Sequence, residues 1–282
     1  MNIEFKRKGL KTTLVKQNGE VVWLTHKIFE SFPEINMAYS TRLGGVSTGV
    51  CSFMNLRNCE WDTEENYRKN LQIFCNAAGF NFEKLAATAQ THTTNIAVVR
   101  EGDAPKGTLF KSKYTDIDGL VTNAVGITLV TSFADCIPVF LYDPVHKAIG
   151  SCHSGWKGTL GRISAAALSV MEKEYGTKAC DVIAGIGPGI CADCYEVSDD
   201  LYEAFSADRK PEQLGRIFLP GRPGHYQMDL LTANRFVLLD AGVRPENISV
   251  SDICTKCNSD LLFSHRAMGN KRGNQCGFMM IK

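Results

Sequence analysis

Three residues have side chains and positions suited to chemistry: His92 in "QTHT", Cys136 in "ADCIPV" and His153 in "HSGWKG". Each stands at or near the end of a strand-like run, where side chains leave a sheet and can converge. Cys136 and His153 are 17 residues apart, which fits neighbouring strands joined by "YDPVHK" with the turn starter Asp143-Pro144. Two histidines and a cysteine are zinc-ligand types, and three protein ligands leave a fourth position open, the catalytic and not the structural pattern. Zinc held this way lowers the pKa of a bound water to about 7 and keeps the cysteine as thiolate. Asp135 and Ser154 are candidates to orient the ligands from behind.

The same residues allow other chemistries. Cys136 could be a nucleophile with His153 as its base, giving a Cys-His hydrolase that acts, for example, on cell-wall peptide precursors. Asp135 would then orient the imidazole, although strand alternation turns it to the opposite face. A two-His, one-Cys set also fits a blue-copper centre, as in a copper-dependent polyphenol oxidase. The chain has only six histidines, and His26, His92, His146, His153, His225 and His265 are too few and too scattered for a multicopper cluster. Simple packing of a buried thiol and two hydrogen-bonded histidines is a further reading.

Polar groups near glycine-rich turns could hold a ligand. Arg42 sits in "TRLGGVSTG", where adjacent glycines permit close backbone approach and the guanidinium suits a phosphate or carboxylate. "GIGPGI" is a second such turn. Asp118 in "DIDGLVT" could accept from a ribose hydroxyl or a base N–H, or cap its own turn. Trp156, three residues past His153, has the best claim among the tryptophans to line a pocket. "CADC" and "CTKC" each have the CxxC form of a four-cysteine zinc site. The long gap between them argues instead for incidental thiols.

The elements that must position these residues are short strands and amphipathic helices. Strand-like segments include "TTLVKQ", "NIAVVR", "GITLVTSFA", "KAIGSCHSG", "DVIAGIG" and "NISVSDIC". Helical spacing predicts helices over 62–78, 159–175 and 228–240, with a short one from Ser198 to near Phe205. Asp62 is the expected cap of the first, and Gly176 and Gly242 close two others. Strands and helices do not alternate strictly, and no GxGxxG follows a strand, so the mixed α/β chain is not a Rossmann fold. No linker divides the 282 residues, which predicts one domain over 1–282.

Composition excludes several classes. Net charge is +1, and no basic stripe marks a nucleic-acid partner. "FKRKG" and "GNKRGN" read as solvated ends. No run approaches the ~18 apolar residues of a membrane span, and the charged N-terminus lacks a signal-peptide core. The 11 cysteines therefore read as reduced thiols in a cytoplasmic chain.

Eleven stretches together resemble one family. They are "STRLGGVS", "MNL", "QTHT", "DIDGLVT", "ADCIPV", "HSGWKGT", "GIGPGI", "CYEV", "MDL", "CT" at 254–255 and "FSHR", in family order over roughly 38–280. The chain resembles the YfiH-like family, also called laccase-domain or polyphenol-oxidase-like and including FAMIN-related purine nucleoside phosphorylases. The resemblance implies a single α/β domain of layered mixed sheets flanked by helices. It also implies a zinc centre, with copper as the other candidate, on His92, Cys136 and His153. The implied activity is phosphorolysis of adenosine, inosine, guanosine and methylthioadenosine, with deamination of adenosine. Purine nucleosides and phosphate are then the partners. Arg42 would hold phosphate, Asp118 or Asn55 would fix the nucleoside, and His265 and Arg266 of "FSHR" would face the pocket. Thr93, Ser154, Lys157 and Arg57 depart from the common family pattern, and the three ligands do not.

Overall fold

The apolar run after Cys136 becomes the strand Ile137–Asp143, which is buried at every position. A strand without a solvent face must be covered on both sides, and here one side meets a second sheet and the other meets helices. The structure, a computed structural model, describes residues 3–103 and 114–282. Residues 1–2 and 104–113 of the expected 1–282 span lie outside the described ones.

Ile137–Asp143 belongs to a six-stranded sheet in the order Ile248–Val250, Ile183–Ile186, Ile137–Asp143, Ala148–Ser154, Gly119–Thr122, Ile96–Val98. Its central pairs are antiparallel and its outermost pairs parallel. A seven-stranded sheet runs Thr13–Asn18, Val21–His26, Ile35–Ser40, Gln275–Ile281, Thr128–Phe133, Leu85–Ala89, Tyr114–Thr115. The two pack face to face. Leu129, Phe133 and Met279 of one meet Leu120, Phe140, Tyr142 and Ile149 of the other. Full burial of one such side chain stabilises the fold by about 1.5–3 kcal/mol.

The alternate residues of each strand point outward and require a cover. Val139, Leu141 and Cys152 pack on Ala167, Met171 and Leu238 from the helices Ile163–Tyr175 and Leu230–Asp240. On the opposite side Ala38, Val130 and Phe278 pack on Leu71, Phe74 and Cys75 of Glu64–Ala78. The layers are therefore helix, sheet, sheet, helix. This is the layered mixed α/β arrangement expected, and it is not a Rossmann fold.

The helices differ from their predicted bounds for local reasons. Thr63, not Asp62, caps the first helix, its hydroxyl accepting from the Asn66 N–H at 3.1 Å. Asp62 instead accepts from Asn55 Nδ2 and Ser47 Oγ. The predicted 159–175 helix is two pieces, Trp156–Leu160 and Ile163–Tyr175, broken where Arg162 takes φ 61°. The first piece begins at Trp156, three residues after His153, with Gly155 as its cap. No helix among the described residues is long and apolar enough to cross a membrane.

Candidate metal centre

Cys136 and His153 are brought together by strand pairing. Ile137–Asp143 and Ala148–Ser154 form an antiparallel hairpin in which His153 faces Pro138, so Cys136 lies just beyond the paired end. The turn is fastened by the Asp143 carboxylate, which accepts from the N–H groups of Val145 and His146. His92 arrives from the loop before Ile96–Val98, a strand two places away in the same sheet. Donor atoms of His92, Cys136 and His153 all lie within 4.8 Å of one another. His92 Nε2 is 3.9 Å from Cys136 Sγ, and the two imidazoles meet edge to face at 4.8 Å.

Asp118 organises this convergence. It is fully buried, and its Oδ1 is 2.7 Å from His153 Nδ1, which leaves Nε2 for the cluster. The same carboxylate accepts from the N–H groups of Thr91, His92 and Thr93 at 2.9–3.1 Å. One side chain therefore fixes both the ring orientation of His153 and the loop that carries His92. That loop needs fixing, because His92 has φ 67°, a region that costs a residue with a side chain about 1–3 kcal/mol. A carboxylate behind a histidine is the usual support of a metal-bound imidazole.

The electrostatics follow from this packing. Burial alone pushes the Asp118 carboxyl up, but His153 and the Thr93 and Thr91 N–H groups outweigh it and bring it to about 2. Burial opposes the charged form of His153, yet Cys136 and Asp118 raise it to about 9. Burial also opposes a Cys136 thiolate, and His153 and His92 overcome it, bringing the thiol down to about 6. Without an ion the pair is thus a thiolate beside an imidazolium, and a metal bound in the gap would displace the proton from His153 Nε2. Zinc–nitrogen and zinc–sulfur distances of about 2.0–2.3 Å fit within that gap.

Two cavities, of about 420 and 470 Å³, reach the cluster and share His92, Ala134, Cys136 and Arg272. The first is lined by Arg57, Gln90, Asn274 and His153. The second is lined by Trp156, Tyr195, His265 and Arg266. Gly155 lies against the ligands, where an added Cβ would come within 3.0 Å of both Cys136 Sγ and His92 Cδ2.

Several expected residues stand elsewhere. Asp118 lines neither cavity, and its carboxylate accepts from within the chain, so here it holds His153 and the His92 loop. Asn55 is fully buried, donating to Arg57 O and Asp62 while accepting from the N–H groups of Arg57 and Asn274. Arg42 donates to the carbonyls of Ser52 and Ser259 and stacks over Phe263, away from both cavities. Asp135, with φ 86°, borders the second cavity, but its carboxylate accepts from Thr255 Oγ1, Ser264 Oγ and the Arg266 N–H and not from His153. It braces the turn that aims Cys136 and is not part of a Cys-His-Asp triad. Arg266 and Trp156 do line a cavity, Arg266 lying over the Tyr195 ring.

Sequence reasoning missed Arg272. It lies in "GNKRGN", which reads as a solvated end, yet it sits on the wall shared by the two cavities. Its Nε is buried with no hydrogen-bond partner in the chain. Its basic, glycine-flanked context gave no hint of this, and only the adjacent strand Gln275–Ile281 carries it inward.

Fold and site together define a class: a layered α/β chain with an open two-His, one-Cys centre between two basic cavities. Residues 36–282 match the family model described as multi-copper polyphenol oxidoreductase laccase, and the chain belongs to that YfiH-like family. It is 34% identical over 262 residues to a purine nucleoside phosphorylase of Bacteroides thetaiotaomicron, covering 92% of this chain and 96% of that one. It is 34% identical over 202 residues to adenosine deaminase RL5 of an unknown prokaryotic organism, covering 69% and 74%. The crystal structure of Bacillus licheniformis hypothetical protein YfiH is similar with a TM-score of 0.88 and 29% identity, over 95% of this chain and 99% of that one.

Proposed function

We propose that the chain is a zinc-dependent purine nucleoside enzyme. It phosphorolyses adenosine, inosine, guanosine and methylthioadenosine, and it deaminates adenosine. The observation that carries this reading is the open His92, Cys136 and His153 set beside the half-buried Arg272, whose Nε has no partner in the chain. Relatives named as a purine nucleoside phosphorylase and an adenosine deaminase support the substrate class.

His92, Cys136 and His153 would hold the ion, for which the donor types and separations fit. When bound, zinc supplies Lewis acidity and a place where water ionises near neutral pH. Asp118 keeps His153 in one tautomer and orientation throughout. Arg272 and Arg57 offer guanidinium N–H groups to phosphate in the first cavity. Trp156 and Tyr195 give the second cavity flat apolar walls for a purine. In phosphorolysis, a phosphate oxygen bonds to C1′ as the C1′–N9 bond breaks and the base leaves with a proton. In deamination, water adds at C6 and ammonia leaves.

Two other readings start from the same residues. The low Cys136 and high His153 pKa values favour a thiolate–imidazolium pair, as in a Cys-His hydrolase. Such an enzyme survives chelation and loses activity to thiol alkylation. A copper polyphenol oxidase needs further histidines. His26 and His146, however, are bonded to Gly187 O and Asp143, and His225 to Arg222.

The test is product analysis on metal-replete protein with and without phosphate. Inosine should form from adenosine under both conditions, and adenine only with phosphate. No turnover of any purine nucleoside by metal-replete protein would sink the proposal.

A further inference from the structure

Cys191, Cys194, Cys254 and Cys257 come from two CxxC turns far apart in sequence, yet their four Sγ atoms all lie within 4.8 Å of one another. Cys257 Sγ is 3.6 Å from Cys194 Sγ and 4.0 Å from Cys191 Sγ. A disulfide holds its sulfurs at about 2.0 Å, and all four residues are free thiols. Four sulfurs each about 2.3 Å from one tetrahedral ion stand about 3.8 Å apart, which matches the observed separations. An iron–sulfur cluster spreads its cysteines farther, because several iron and sulfide atoms lie between them.

Backbone donors face the cluster. The Cys191 and Cys257 N–H groups point at Cys254 Sγ, at 3.3 and 3.5 Å. N–H groups that meet a ligand sulfur from the backbone help to orient it. The Lys8 ammonium pairs with Asp193, which lies between the first two cysteines in sequence.

We infer that these four cysteines hold one zinc ion in a closed, all-thiolate site, separate from the His92, Cys136 and His153 set, and that this ion braces a cavity wall. Four protein donors leave no open position, so the role is structural. The two turns it joins already touch through a Gly189–Cys254 bridge and a Thr255 N–H bond to Gly189 O at 3.1 Å. Ile190 and Tyr195 pack on these cysteines and also line the second cavity. Ile190 N–H donates to Asp135 O, and Thr255 Oγ1 donates to Asp135 Oδ1, one residue before Cys136. The ion would thus fix the two segments that hold Asp135 and shape the wall beside Cys136.

Metal content decides the matter. Zinc is measured in protein purified without added metal or chelator, as wild type, Cys191→Ser/Cys257→Ser and His92→Ala/His153→Ala. The expectation is about two zinc ions per chain in the wild type and about one in each double variant, one ion per donor set. Cobalt loaded into the histidine variant should show the intense thiolate-to-cobalt absorption of a four-sulfur site. That variant keeps all four cysteines, so it tests the site even if the cysteine variant fails to fold. A histidine variant with no zinc and no thiolate–cobalt absorption overturns the inference. Iron in place of zinc, or two disulfides in the purified protein, would also overturn it.

Discussion

The described residues include two clusters of metal-ligand side chains, and they differ in almost every respect that matters for reactivity. His92, Cys136 and His153 offer three ligands at the meeting of two cavities, with a buried carboxylate behind one of them. Cys191, Cys194, Cys254 and Cys257 offer four sulfurs with backbone N–H groups around them. None of the four lines either cavity. Three donors beside a cavity leave room for a reactant, whereas four donors leave none. Reactivity in this chain therefore depends less on the presence of thiols than on how many converge and what lies beyond them.

Cys136→Ser should break the comparison most sharply. It is expected to abolish nucleoside turnover and remove one zinc per chain, with the four-cysteine ion retained. Persistence of full turnover after this change would remove the distinction between the two clusters. Disrupting the other cluster, in Cys254→Ser/Cys257→Ser, should act on the fold. The expectation is a lower melting temperature by calorimetry, with residual turnover. An unchanged melting temperature would leave that cluster without a structural role.

Asp118→Asn tests the support behind the open site. Loss of such a partner typically costs about 10–100-fold in metal affinity or activity, and both should be measured, by competition with a chelator and by initial rates. Zinc at the four cysteines should not respond. Arg272→Gln should raise the KM for phosphate by about 10- to 150-fold, since a charged hydrogen bond is worth about 1.5–3 kcal/mol, while phosphate-independent deamination is spared. Equal losses in both reactions would place Arg272 on the nucleoside instead.

The smallest effect on turnover at neutral pH is expected at His26. It is buried beneath the loop that leads to Cys191, with Nε2 3.0 Å from Gly187 O and Nδ1 3.2 Å from Ser249 Oγ. Burial pushes its pKa down to about 4 from an ordinary 6.5. The unfolded chain therefore binds the extra proton first as pH falls. The stabilisation is complete above pH 6.5 and is lost between 6.5 and 4, about 3 kcal/mol in all. Melting temperatures across that range should fall more steeply for wild type than for His26→Gln. Parallel slopes would show that His26 is not the acid-sensitive group at this end of the molecule.

Periodicity and turn chemistry were legible along the chain. The hairpin of Cys136 and His153 could be read from Asp143-Pro144 and two apolar runs, because both signals act within a few residues. The helix face Tyr67, Leu71, Phe74, Cys75 and Ala78 was equally plain, since amphipathic spacing is a local property. Family motifs pointed to the three ligands, and the structure brings those residues together. The roles of Arg42, Asn55, Asp118 and Asp135 were not legible. Each was a polar residue near a turn, and sequence does not show which side of a turn faces the cavity.

The sequence by itself determined the apolar run that buries both faces of Ile137–Asp143, the donor types and the absence of a nucleotide-binding glycine motif. The tertiary structure alone decided which donors meet. It set the long gap between "CADC" and "CTKC" aside by laying Gly189 beside Cys254. It also engaged Asp135 with Thr255 and put Asp118 on His153, carrying Arg272 in from an apparently solvated end. The physical reason is that hydrogen bonds and metal ligation act over about 2–4 Å in space. Distance along the chain constrains such contacts only through the fold that closes the intervening loop, at a cost that grows slowly with its length.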